Sequence, residues 1–166
     1  MALIIEDGTG VADADSFITL ADARTAATRY GLELSTDDTT AEAQLVQSYF
    51  FLVDNYESRM TGYVSNYSQT GLFPRTACYK NQDYLIDSDV IPAEVIRAQV
   101  YCASGINSGA DVNKVNTDGV VTSFNVQGVY SETLKDSTVT TLPQFNMVSR
   151  MLNCFSRGGM IYREEY

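Results

Sequence analysis

Gly71-Leu72-Phe73-Pro74-Arg75-Thr76-Ala77-Cys78-Tyr79, then a polar bridge, then Tyr84-Leu85-Ile86-Asp87-Ser88-Asp89-Val90-Ile91-Pro92-Ala93-Glu94-Val95-Ile96-Arg97-Ala98-Gln99-Val100-Tyr101-Cys102-Ala103: this stretch decides the fold. It reads as an apolar plug, an ordered loop and the start of a helix. Pro74 removes a backbone donor and biases Phe73 toward an extended conformation. Leu72, Phe73, Pro74 and Arg75 are therefore expected to anchor a loop to the core without forming a strand. Ile91-Pro92 opens a helix, and Glu94 places a negative charge in its first turn, where the helix dipole favours one. Val95, Ile96, Gln99, Val100, Cys102 and Ala103 give that helix a broad apolar side, which marks it as the central helix.

Toward the N-terminus, Thr19 with Asp22 forms a capping-box-like pair ahead of a helix over 20–30, which Gly31 ends. Its apolar face is small: Leu20, Ala23, Ala26, Ala27 and Tyr30. A second capping pair, Thr39 with Glu42, predicts a helix from about Ala41 to Ser58. Leu45, Tyr49, Leu52, Val53 and Tyr56 recur there at helical spacing. Phe50 and Phe51 widen its apolar side, so an exposed Phe would mark an interface, while a wrapped core helix is the commoner arrangement. Residues 59–90 read as one loop. Loops beyond roughly 15 residues are uncommon in compact domains and tend to be functional. Toward the C-terminus the central helix ends at Asn107-Ser108-Gly109. Residues 111–142 then carry strand chemistry and read as a hairpin, with Asp118-Gly119 and Gln127-Gly128 as turns or bulges. Pro143 opens a last helix to about Phe155, lined by Phe145, Val148, Leu152 and Phe155. Gly158-Gly159 ends it. The expected fold is mainly α: a helical bundle of about four helices with long loops and a small β-hairpin, in one domain over residues 1–166.

The 166 residues are 45% hydrophobic and carry a net charge of −10. That charge is uneven. Residues 1–45 hold nine acids and two bases, residues 46–91 five and three, and residues 92–166 seven and six. An acidic first third repels a phosphate backbone, so tight binding through a basic patch is not expected. No apolar run reaches the roughly 20 residues of a membrane span, so no membrane partner is expected. The start Met1-Ala2-Leu3-Ile4-Ile5-Glu6-Asp7 lacks a basic region, so it is read as no signal peptide, with synthesis in the cytosol.

Histidine is absent, which removes Ser-His and Cys-His nucleophile systems and the commonest metal ligand. Asp7-Gly8-Thr9-Gly10 fails as a phosphate loop, because no Gly-Lys-Ser/Thr follows; it is a turn or an arm. Cys78, Cys102 and Cys154 have no metal-site or disulfide spacing. Asp13 with Asp15, Asp37 with Asp38 and Asp87 with Asp89 fit no calcium loop. No enzyme activity, metal or cofactor is expected. The eleven tyrosines could stack nucleic-acid bases. Stacking platforms come with basic grooves, and bases are sparse, so core and interface packing is the reading preferred.

Taken together, the chain resembles a family of tailed-phage head–tail adaptor (connector) proteins. The resemblance rests on the opening 1–11 with Ala14-Asp15-Ser16-Phe17-Ile18, on the second helix with Tyr56, and on Leu72-Phe73-Pro74-Arg75-Thr76. That last element is similar to the family's Trp-Pro-Arg-Thr-Gly, with Phe73 for Trp and Ala77 where glycine is expected. Ile91-Pro92 and the final Gly-Gly match too. Coverage is good over residues 1–106 and weak over 107–142. Members of the group often carry the label DnaT-like single-stranded-DNA-binding protein, a label the charge balance argues against.

The resemblance implies a virion protein at the head–tail junction, made in the host bacterial cytoplasm. It would form a dodecameric ring of copies beneath the portal. Such a ring would pass double-stranded DNA without sequence preference and bind a downstream tail or nozzle protein. On that reading residues 1–18 are an N-terminal arm. Gly158, Gly159, Met160, Ile161, Tyr162, Arg163 and Tyr166 dock on the portal. Tyr63, Tyr67, Tyr79, Tyr84, Phe124, Val126 and Tyr130 make subunit or tail contacts. The alternative is a single-stranded-DNA-binding accessory of replication, which rests on the tyrosines and on the label.

Overall fold

Helix capping explains where the helices begin and end. α1 spans Leu20–Tyr30; the Thr19 side chain accepts the Asp22 amide, and Gly31 closes the helix in the left-handed region at φ 69°. α2 spans Asp38–Tyr56 and begins earlier than Thr39 and Glu42 suggested. Asp37 is the cap instead, because one carboxylate oxygen accepts both the Thr40 amide (2.8 Å) and the Thr40 hydroxyl (2.6 Å). α3 spans Ala93–Asn107 behind Pro92, and α4 spans Asn146–Leu152 and tightens into a 3₁₀ turn at Asn153–Phe155. The computed structural model describes residues 2–110 and 146–156 in full, and the backbone of Ser123–Val126 and Tyr130–Thr133.

The fold is mainly α, with small antiparallel hairpins. α3 packs against α1, α2 and α4. One side of the core is built from small residues, Ala23 and Ala27 of α1 against Leu45, Val100 and Ala103, with Leu3, Ile18, Leu32 and Leu34 around them. Small side chains let the helix backbones approach closely. On another side, buried Leu72 and Phe73 sit in the core, and the Phe73 ring meets Phe155 edge-on with centroids 5.4 Å apart. On α2, Phe51 is buried and Phe50 is 42% exposed.

The segment 59–90, read as a loop, contains two hairpins. β1 (Tyr63–Val64) pairs with β2 (Arg75–Thr76), and β3 (Cys78–Lys80) pairs with β4 (Tyr84–Ile86). The plug therefore runs directly into a strand. Strands this short cannot hold themselves in water; backbone bonds to the end of α4 pin them. The Thr61 amide donates to the Phe155 carbonyl (2.9 Å), and the Asn81 amide donates to the Cys154 carbonyl (2.6 Å).

The chain divides into two units, Met1–Ala110 with Phe145–Tyr166, and Asp111–Gln144. In the second, β5 (Ser123–Val126) pairs antiparallel with β6 (Tyr130–Thr133), with Val126 opposite Tyr130. The expected turns at Asp118-Gly119 and Gln127-Gly128, and Pro143 and Phe145 at the start of the last helix, lie outside the described residues.

Candidate functional site: the tyrosine-bearing hairpins

Arg75 explains how the hairpins are fixed. The residue is 4% exposed, and its guanidinium donates to three backbone carbonyls: Thr61 (2.9 Å), Gly62 (3.0 Å) and Leu72 (3.3 Å). The plug thus has a polar half that ties β2 to the turn before β1. Gly62 has φ 69°, and a Cβ there would strike the Thr76 and Ala77 backbone. The Phe73–Pro74 peptide bond is cis.

The loop between β1 and β2 is held from the N-terminal side. Glu6 is buried, and its carboxylate accepts the amides of Gly8 (3.0 Å), Gly10 (2.9 Å) and Val11 (2.8 Å). The Asp7–Gly10 turn this creates lies against the later segment. The Asn66 side chain donates to the Gly10 carbonyl (3.1 Å), Ala12 bridges to Gln69, and a Cβ at Gly8 would collide with the Asp89 carbonyl. Residues 2–18 are thus folded onto the tyrosine-bearing segment. Their outward link to the core is Gln99. Its buried amide accepts the Phe17 amide (2.9 Å) and donates to the Ser16 hydroxyl (3.0 Å) and the Leu45 carbonyl (3.1 Å).

On this frame the tyrosines project. Tyr67 at the loop tip is fully exposed, and Tyr63 (69%), Tyr84 (70%) and Tyr79 (40%) are exposed on their strands. In the β3–β4 ladder Lys80 lies opposite Tyr84, and Tyr79 lies opposite Leu85. Side chains alternate across a strand pair, so Tyr84 and Lys80 share one face and Tyr79 and Leu85 the other. Lys80 Nζ donates to Glu94 Oε1 of α3 at 2.5 Å. That bond raises the lysine's pKa. Burial alone would raise the Glu94 pKa, but the bond from Lys80 overrides it and leaves the carboxylate below its usual value.

The other expected site residues fall differently. Phe124, Val126 and Tyr130 lie in β5 and β6, of which the backbone is described. Gly158, Gly159, Met160, Ile161, Tyr162, Arg163 and Tyr166 lie outside the described residues. No group of three or more Cys, Asp or Glu side chains among the described residues could hold a metal. Burial pushes the Cys102 thiol up to about 12, far from a reactive thiolate. No helix among the described residues is long and apolar enough to cross a membrane.

A family model described as "Putative DnaT-like ssDNA binding protein" matches residues 1–164. No curated protein and no solved structure matches the chain significantly. The whole-length match corrects the reading that put a virion adaptor first. A portal, a ring of copies, a downstream tail or nozzle protein and the passage of double-stranded DNA are set aside as partners and roles, because the family's description concerns single-stranded DNA. Several of the nine acids in residues 1–45 have local partners: Glu6 and Asp37 accept backbone amides, Asp15 accepts the Ile4 amide, and Asp38 pairs with Arg24 at 2.7 Å. What a ligand meets depends on which groups face it.

Proposed function

The chain belongs to the DnaT-like family whose model it matches, and from that membership we propose that it binds single-stranded DNA as a non-enzymatic accessory of replication. The match over residues 1–164 is the observation that carries this reading. The exposed tyrosines support it. Aromatic rings can stack on every base, so binding of this kind is tolerant of sequence. A strand with unpaired bases offers ring faces that a duplex hides, which favours single strands over double. The scarcity of cations sets the character of the interaction. Few phosphates can be neutralised, so affinity should fall only shallowly with salt.

Fluorescence anisotropy with labelled oligothymidylate and with a duplex of equal length tests this. Binding of the single strand in preference to the duplex is the expected result. No anisotropy change with oligothymidylate at low salt overturns the proposal.

A further inference from the structure

A second set of flat and charged groups continues from the β3–β4 hairpin along α3. The Arg97 guanidinium lies over the Tyr30 ring, 5.5 Å from its centroid. Tyr30 of α1 in turn stacks with Tyr101 of α3, with centroids 5.9 Å apart and planes 28° from parallel. All three side chains are partly exposed. Glu94, Arg97 and Tyr101 are spaced by three and four residues, so they lie along one face of α3. Glu94 connects that face to Lys80, and Lys80 to Tyr84 across the ladder. Aromatic, cation, carboxylate, cation and two aromatics are thus linked in order by ladder register, ion pair, helix spacing and ring contact.

We infer that Tyr84, Lys80, Arg97, Tyr30 and Tyr101 form a base-stacking track for single-stranded DNA, with Glu94 as a charge that limits its affinity. The inference rests on the proposed function and adds the path the strand takes. Glu94 and Tyr101 are seven positions apart on α3, a span of about 10 Å. At about 3.4 Å per stacked nucleotide that face accommodates about three bases. Arginine suits this position, because its guanidinium plane stacks as an aromatic ring does while its charge faces phosphate. Arg97 Nε is enclosed with no hydrogen-bond partner, and the guanidinium rests on the Tyr30 ring. Lys80 and Arg97 supply two positive charges, and Glu94 offsets one.

Photocrosslinking of the full chain to 5-iodouracil-substituted oligothymidylate, with the sites mapped by mass spectrometry, tests the path without altering the protein. Crosslinks at Tyr30, Tyr84 or Tyr101 are expected. Glu94→Gln, with anisotropy as the readout, removes the opposing charge and should tighten binding several-fold and steepen the salt dependence. Loss of an ion pair that served folding alone would not tighten binding. Arg97→Gln should weaken binding. If the wild-type chain binds oligothymidylate but crosslinks only elsewhere, and Glu94→Gln binds no tighter, the track is overturned and the proposed function stands. If the wild-type chain does not bind at all, both fall.

Discussion

Ala77 occupies the left-handed region at φ 55°, on the exposed link between β2 and β3. Glycine adopts that conformation freely, whereas an L side chain pays roughly 1–2 kcal/mol for it. This is the position where the motif resemblance called for glycine, and the backbone supplies the reason. Ala77→Gly is expected to stabilise the fold by about 0.5–1 kcal/mol, the relief being partly offset by glycine's freedom when unfolded. A urea midpoint that rises without a change in slope would show it. Phe73 behaves oppositely. Its ring is fully buried against Phe155, so Phe73→Ala should cost about 3–5 kcal/mol by the same measurement. Asp37 gives a pH dependence. The Thr40 hydroxyl and amide hold its carboxylate below the usual range, so the folded pKa is depressed. Its contribution is present above the unfolded pKa of about 3.9 and is lost as pH falls through the folded value. Stability measured across that window should fall less steeply in Asp37→Asn than in the wild type.

The helices were legible because their signals are local. Thr19, Gly31 and Ile91-Pro92 mark the ends of α1 and α3, and the apolar spacing between them does the rest. α2 was placed with its start displaced, since Thr39 with Glu42 and Asp37 with Thr40 both look like caps. Only the geometry shows that Asp37 serves both donors of Thr40. The hairpins were not legible. Strands of two or three residues have no readable period, and what holds them is the reach of Arg75 to Thr61 and Gly62 and the docking onto Phe155. A signal did exist in Tyr79-Lys80-Asn81-Gln82-Asp83-Tyr84, where Asn81 and Gln82 take positive φ as a tight turn demands. The four tyrosines are legible from sequence as contact residues, and the structure shows them exposed on pinned hairpins; on the proposed function the contact they make is with bases. Tyr67→Ala and Tyr84→Ala should each weaken oligothymidylate binding by about 1–3 kcal/mol, read by anisotropy, while leaving the urea midpoint nearly unchanged. Equal affinity in both variants would remove the hairpins from the interface.

At the scale of the whole molecule, composition averages over surfaces that differ. A net charge of −10 describes the far field, whereas a bound strand would meet Lys80, Arg97 and the tyrosines at close range. Periodicity likewise could not join Tyr30 to Tyr101, because they come from helices distant in sequence.

Gln99 carries a further consequence. From the buried face of α3, this one side chain accepts a hydrogen bond from the segment before α1 and donates to that segment and to α2, so none of these can release it alone. Residues near a chain end ordinarily open independently and exchange their amide protons fast. Here the Phe17 amide should exchange as slowly as those in the middle of α3, by the same whole-molecule opening, and native-state hydrogen exchange followed by NMR would read it directly. In Gln99→Ala that amide should exchange by local opening, and the first eighteen residues would then melt as a separate cooperative unit.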